Sequence, residues 1–284
     1  MMKLQAKHAG ISFRERIESN KILPLIGVYD VFSACLAAKH FDGVFCSGFG
    51  FSASCYGIPD IGFANWRDML DYASRIRHVL PESHILVDID DGLGDAIVAA
   101  NTVHALENNG ISAVMLEDQQ RPRRCGHSEG KRILPIGEYL IKLNHALKSR
   151  DELFVIARTD AVIPEEGMDR AVAYAEAGAD GVMVEAIDDL EVIRQLRQEV
   201  QCPIMVNRLH DGRSPNWTLP EMEEAGVSIV IYSAPCLFAA QYGIERYLAD
   251  LVRGRGKLPE SGTVDVDACR MVLAEGMEAA WFRP

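Results

Sequence analysis

The sequence predicts an α/β chain folded as a closed parallel (β/α)8 barrel of the TIM type, with an added C-terminal helix. Two observations carry this expectation. The first is a recurring pattern in which a helix-like segment ends near a glycine, a small or polar residue follows, and an unbroken apolar run comes next. Gly110 leads into Ile111-Ser112-Ala113-Val114-Met115-Leu116, Gly178 into Ala179-Asp180-Gly181-Val182-Met183-Val184, and Gly226 into Val227-Ser228-Ile229-Val230-Ile231-Tyr232. Glycine suits the left-handed C-cap of a helix. Runs without alternation suit parallel strands covered on both faces. The second observation is that eight such runs occur with helical segments between them, the number that closes this barrel. A doubly wound open sheet is the rival topology, but no GxGxxG follows an early strand.

In chain order, the first apolar run is 22–28 and a helical segment follows at 31–39. Asp42-Gly43-Val44-Phe45-Cys46 is a short second strand, followed by a helix at 66–80. Runs 84–87, 111–116 and 153–157 alternate with helices 94–108 and 136–147. Helices 168–177 and 190–199 flank the sixth strand, which ends at Glu185, and run 203–206 is the seventh. Thr218-x-x-Glu221 has the form of a capping box at the start of helix 220–225. The eighth strand ends at Ser233, helix 237–252 follows, and a last helix at 264–281 caps the barrel or reaches a partner subunit. With no Pro/Gly/Ser-rich linker, residues 1–284 read as one domain.

Lys plus Arg number 29 and Asp plus Glu 41, giving a net charge of −12, which is not the basic footprint of a nucleic-acid binder. The longest apolar stretch, 229–242, is broken by Ser233 and Pro235, so no membrane span is expected. No secretory h-region is evident, and seven cysteines without a CxxC suit a reducing, cytoplasmic compartment.

Chemistry in this architecture gathers at the carboxyl ends of the strands. There the sequence places Ser47-Gly48-Phe49-Gly50, Asp88-Ile89-Asp90-Asp91, Glu117-Asp118-Gln119, Arg158-Thr159-Asp160, Glu185, Asn207 and Ser233. Asp88, Asp90 and Glu117 look like ligands of a hard cation. Oxygen donors without His or Cys favour Mg²⁺ or Mn²⁺. The competing reading pairs these acids with Arg158 or lysines. Arg158 could grip a carboxylate or phosphonate in bidentate fashion, or pair internally with Asp160 or Glu185. Ser47-Gly48-Phe49-Gly50 reads as a small-residue turn whose N–H groups could cradle an anion. The segment 121–132 carries six basic residues, counting His127, around Cys125. It reads as a closing lid whose cations would lower the thiol pKa, or as a plain basic surface loop.

The segment Glu117-Asp118-Gln119 … Arg124-Cys125-Gly126-His127 resembles the signature of the isocitrate lyase/phosphoenolpyruvate mutase superfamily. Gly57-Ile58-Pro59-Asp60, Asp88-x-Asp90, Ala157-Arg158-Thr159-Asp160, Glu185 and Asn207 match in the same order. The likeness is nearest to the small lyase branch, which includes methylisocitrate lyase, the petal death protein with its alkylmalate lyase relatives, and carboxyphosphonoenolpyruvate mutase. It implies a barrel whose eighth helix is swapped between subunits, a homodimer or homotetramer joined through such swapped C-terminal helices, Mg²⁺, and an enolate of an α-keto acid. Carried over, Ser47, Gly48 and Phe49 bind the keto-acid carboxylate with Arg158. Asp60, Asp88, Asp90 and Glu117 organise the cation directly or through water. Cys125 protonates the enolate carbon, and Glu185 and Asn207 meet the departing half of the substrate. Gly126 and His127 face the substrate from a gating loop at 119–132. The implied activity is cleavage of a 2-hydroxy di- or tricarboxylate of the substituted-malate or methylisocitrate type. The alternatives are a phosphonomutase, or an oxaloacetate hydrolase or decarboxylase, on the same scaffold. The chain departs from the methylisocitrate lyase pattern at Phe45, where a Tyr is usual, and at Asp91, where a neutral residue is usual.

Overall fold

The structure is a computed structural model that describes residues 8–281 except Asn20, His127 and Ser214. Eight parallel strands close into a barrel in sequence order. They are β1 Leu23–Val28, β2 Gly43–Cys46, β3 His84–Asp88, β4 Ala113–Glu117, β5 Phe154–Thr159, β6 Gly181–Val184, β7 Ile204–Arg208 and β8 Val227–Tyr232. Closure is made where Leu25 of β1 pairs with Ile231 of β8. The open-sheet alternative is thereby excluded.

The helices are α1 Ala9–Glu18, α2 Val31–Ala37, α3 Gly48–Phe51, α4 Trp66–Val79, α5 Ala96–Asn108, α6 Ile136–Lys148, α7 Pro164–Glu176, α8 Leu190–Glu199, α9 Leu219–Glu224, α10 Pro235–Arg253 and α11 Val266–Trp281. The expected capping box of α9 is present, with Thr218 accepting from the Glu221 N–H and Glu221 accepting in return. Helix α7 starts four residues before its expected position because Pro164 opens it. Proline is tolerated at a first helical position, where no N–H is needed. Helix α1 was not expected. It closes the amino end of the barrel, where Phe13 packs edge-on against Phe154 at 5.2 Å and His84 at 5.6 Å.

Two apolar layers hold the fold. One lies between strands and helices and includes Val44, Val87, Val114, Val155, Val182 and Val206. The other fills the barrel with Leu25, Phe45, Leu86, Met115, Ile156, Met183, Met205 and Ile231. Successive strand residues point to opposite faces, so the inward row advances in steps of two. One step beyond this inner layer stand Ser47, Asp88, Glu117, Arg158, Glu185, Asn207 and Ser233. The polar layer at the carboxyl end is thus the continuation of the barrel's own packing.

The last two helices differ in how they are covered. Helix α11 lies against α2 and α4 of its own chain. Val272 is buried there, Trp281 Nε1 donates to His78 Nε2 at 2.6 Å, and Lys39 pairs with Glu275 at 2.6 Å. Helix α10 has no buried residue, and Tyr242, Ile244, Leu248 and Val252 on it are exposed. Among the described residues no helix is long and apolar enough to cross a membrane.

Candidate active site

The carboxyl end of β3 turns sharply. Asp90 takes a left-handed backbone (φ 48°), which is uncommon for a residue with a side chain. Its N–H donates to Asp88 Oδ1 at 3.0 Å, and its carbonyl accepts from the Glu117 N–H at 2.8 Å. The turn therefore brings Asp88, Asp90 and Glu117 together. Gly48 permits the approach of β2, since a Cβ there would stand 3.2 Å from Asp90 Oδ1 and 3.4 Å from Asp88 Oδ2. The segment 47–50 is not the open turn that the sequence suggested. It enters α3, with Ser47 Oγ accepting from the Gly50 N–H at 3.2 Å, and runs on into a π-helical turn, Ser52–Tyr56.

A guanidinium stands in the midst of the acids. Arg123, only 2% exposed, donates from Nε to Glu117 Oε1 at 2.7 Å. Its Nη1 contacts Asp60 and lies 3.2 Å from Asp90 Oδ1. Burial pushes the Glu117 carboxyl up to about 8, with Arg123 and Arg158 resisting. Burial likewise raises Asp88, and raises Asp90 well above the usual carboxylate range, with neighbouring acids adding to the effect. Among the described residues no three His, Cys, Asp or Glu side chains stand free to surround a metal ion. The competing reading, acids paired with arginine, thus describes the arrangement seen, although Arg123 and not a lysine supplies most of the contacts.

Arg158 is fully enclosed. It meets Asp160 through Nε at 2.9 Å and Nη2 at 3.0 Å, Glu185 at 3.3 Å and Glu117 at 3.4 Å. Burial works against its charge, but Asp160, Glu185 and Glu117 outweigh that and hold its pKa well above the ordinary value. Asn207 donates to Glu185 Oε1 at 3.0 Å and accepts from Ser233 Oγ. Glu185, Asn207 and Arg158 form one connected group.

The loop between β4 and α6 is fastened at both ends. Arg121 forms a bidentate pair with Asp91 at 2.8 and 2.7 Å, and Lys131 reaches buried Asp160 at 2.9 Å. The Gln119 amide clamps the Arg124 backbone, donating to its carbonyl at 2.8 Å and accepting from its N–H at 2.9 Å. Asp91, which looked anomalous beside the acid pair, is the anchor of the loop's first arginine.

Beneath this loop a pocket lies at the barrel mouth. Ser47, Phe49, Asp60, Asp88, Cys125, Gly126, Arg158 and Asn207 line it. Asp90, Glu117 and Glu185 stand behind the lining, in contact with Arg123 or Arg158. His127 lies outside the described residues. The opposite wall is apolar, made by Phe45, Met115, Leu209, Ile231 and Phe238.

Three residues were given no role by the sequence reading. Arg123 was visible only as one member of a basic run. Asp118 is completely buried behind the site, where it accepts from Thr159 Oγ1 at 2.7 Å, Tyr174 Oη at 2.7 Å, Arg170 Nη1 at 3.2 Å and the Asp160 N–H at 2.9 Å. Phe238, from the first turn of α10, crosses to Phe49 at 6.1 Å. Asp118 stood in the strand-end run Glu117-Asp118-Gln119 without a role of its own, and nothing in the local pattern separates Arg123 or Phe238 from loop or surface residues.

A family profile described as phosphoenolpyruvate phosphomutase matches residues 13–252. The 2-methylisocitrate lyase of Shewanella oneidensis is 36% identical over 230 residues, 79% of this chain and 78% of that protein. The 2,3-dimethylmalate lyase of Eubacterium barkeri is 30% identical over 233 residues, 80% of each. A solved structure of oxaloacetate acetylhydrolase in complex with 3,3-difluorooxalacetate superposes with a TM-score of 0.90 at 29% identity, covering 96% of both chains. The chain belongs to the phosphoenolpyruvate phosphomutase family, and so to the phosphoenolpyruvate mutase/isocitrate lyase superfamily of enzymes that its strand-end residues resembled.

Proposed function

We propose that the chain is a divalent-cation-dependent carbon–carbon lyase that cleaves a 2-hydroxy di- or tricarboxylate through the enolate of an α-keto acid. The observation that carries this reading is the meeting of Cys125 and Arg158 in one pocket with the acid cluster in and behind its wall. Arg158 presents a rigid fork to a substrate carboxylate. Ser47 and the backbone at Gly48 and Phe49 complete that carboxylate's seat. Cys125 holds a proton for the enolate carbon, as a general acid must. Glu185 and Asn207 orient the departing half. The closed loop keeps water from an intermediate that it would quench.

Asp60, Asp88, Asp90 and Glu117 offer only carboxylate oxygens, the donor chemistry of Mg²⁺ or Mn²⁺. Asp90 Oδ1 is buried and accepts no hydrogen bond, so it has capacity for a cation. These four residues would hold the ion, directly or through water. When bound, it would supply Lewis acidity to the oxygens on which charge develops. A second copy of the chain is the proposed cover for the apolar residues of α10, giving a homodimer or a larger homo-oligomer.

The test is a turnover panel of substituted malates, methylisocitrate, oxaloacetate and phosphonopyruvate, with keto-acid release and P–C cleavage read separately. Keto-acid release from a 2-hydroxy acid is expected. Cleavage of phosphonopyruvate alone would replace the reading with phosphorus chemistry. Hydrolysis of oxaloacetate alone would favour the second reading, which the 0.90 TM-score to oxaloacetate acetylhydrolase supports.

A further inference from the structure

The rim of the barrel mouth is divided by chemistry. At the ends of β3 to β6 stand Asp88, Glu117, Arg158 and Glu185, all buried and ionisable. The inward rows of β2, β7 and β8 read differently. Phe45, Ser47 and Phe49 run from β2 into α3, and Met205, Asn207 and Leu209 run along β7 and past its end. Ile231 and Ser233 run past β8 toward α10, whose first turn carries Phe238. Each row passes from an apolar side chain through one small neutral polar group to an apolar one, in the steps of two that a strand imposes. The outermost members, Phe49, Leu209 and Phe238, all line the pocket and form an apolar collar.

The collar is held in shape. Phe49 and Phe238 meet edge to face, with ring centroids 6.1 Å apart at 83°. Arg208 donates to the Pro215 carbonyl and to Asn216 Oδ1 at 3.1 Å, and its guanidinium lies 5.5 Å from the Trp217 ring, which pins the end of β7 beside Leu209. Pro235 opens α10, and the Phe238 N–H donates to the Ala234 carbonyl at 3.1 Å, so a helical turn sets the second ring. All three collar side chains are only half-buried. A ligand that covers them gains the free energy of burying hydrocarbon.

We propose that the collar of Phe49, Leu209 and Phe238 seats an uncharged hydrocarbon substituent on C3 of the substrate, so that the chain prefers 3-alkyl-2-hydroxy dicarboxylates and discriminates against a third carboxylate. The inference rests on the reading of the chain as a 2-hydroxy-acid lyase and narrows it. Cleavage between C2 and C3 releases an α-keto acid and a carboxylic acid that keeps whatever C3 carried. With the C1 carboxylate at Arg158 and the C4 carboxylate against the neutral groups of Asn207 and Ser233, the C3 substituent is left to the collar. Among the described lining residues the cations are Arg123, paired with Asp60 and Glu117, and Arg158, paired with Asp160 and Glu185, all on the ionic half. A carboxylate carried on C3 would be pressed against Leu209 and two rings, where a desolvated charge without a partner is costly. An alkyl group in the same place is covered, and a bare C3 leaves the collar wet.

The experiment measures kcat/KM of the full chain in Mg²⁺ buffer for four 2-methylmalates that differ only at C3. They bear hydrogen, methyl, ethyl or carboxymethyl there, the last being methylisocitrate, and pyruvate release is the common readout. Methyl should exceed hydrogen by about tenfold, the lower end of what one methylene is worth in an apolar pocket, and carboxymethyl should fall at least about tenfold below ethyl. Leu209→Ala and Phe238→Ala should each bring the methyl-to-hydrogen ratio toward one, and Leu209→Arg should raise the carboxymethyl-to-methyl ratio at least about tenfold. Each ratio is taken within one protein, so a loss of folded material cancels, and the wild-type series needs no variant. Carboxymethyl equal to or above methyl in the wild type, or a methyl-to-hydrogen ratio unchanged in both alanine variants, would overturn the role of the collar and leave the lyase reading standing. Pyruvate from none of the four would overturn the lyase reading, and the inference with it.

Discussion

Replacing Asp118 by Asn should lower the melting temperature by about 6–10 °C, although the change is isosteric and lies behind the cavity. Oδ2 of Asp118 accepts from Thr159, Tyr174 and Arg170, and Oδ1 accepts from the Asp160 N–H. An amide offers one oxygen. If that oxygen serves the three donors, the NH2 group meets the buried Asp160 N–H, and an unsatisfied N–H costs roughly 1–3 kcal/mol. Arg170 loses one of its two carboxylate partners as well, Glu166 remaining at 2.9 Å, so the roughly 3–5 kcal/mol of a fully broken buried ion pair is an upper bound for that part. Burial raises the Asp118 pKa, so part of the carboxylate's own desolvation cost is recovered, and a total of about 3–5 kcal/mol is expected. For a chain of this size about 2 °C accompanies each kcal/mol. Differential scanning calorimetry reads the shift. Because Asp160 also binds Arg158 and Lys131, kcat/KM should fall several-fold in the same variant. A melting temperature within 2 °C of the wild type would refute the argument that this buried network holds the site in place.

Four further outcomes are expected. Cys125→Ser should reduce lyase turnover by orders of magnitude with an unchanged melting curve; unchanged turnover would remove its proton from the mechanism. Thorough chelation with EDTA should abolish activity and added Mg²⁺ or Mn²⁺ restore it, so activity that survives chelation would count against a cation. Burial lowers the His84 pKa to about 4, so the unfolded chain takes up the proton first and stability falls as pH drops from about 6.5 to about 4. The loss is up to roughly 3 kcal/mol and should be absent in His84→Gln; parallel denaturation curves for the two proteins over that range would refute the assignment. Leu248→Glu combined with Val252→Glu should shift the sedimentation profile to a smaller species, and an unaltered profile would show that α10 is not an interface.

The strands and most helices were legible because the sequence repeats one physical solution. Gly110, Gly178 and Gly226 all have positive φ, which is the reason for a glycine before each of those strands. The polar ring was legible for a related reason. In a barrel the inward row keeps its phase, so Met115 inside places Glu117 inside, and Ile156 places Arg158. Helix α1 was not legible, since what defines it is the distant surface of Phe154 and His84 that Phe13 covers. Arg123 was not legible either. The 121–132 run announces a basic loop, but which cation turns inward depends on the gap at Gly62 and on the anchors at Asp91 and Asp160, all far away in sequence.

Those anchors also explain how an acidic chain can build a site for an anion. Asp60, Asp88, Asp90, Glu117, Asp160 and Glu185 are all buried at the mouth, while the buried cations facing them are Arg123, Arg158 and Lys131. The acids exceed the cations, and burial makes each uncompensated charge costly. Protons can make up the difference, and burial, which pushes the Glu117 carboxyl up to about 8, favours that. A divalent ion can make it up as well. An anionic substrate then meets Arg158 and a cationic loop at the mouth, with the surplus of acid already answered behind them.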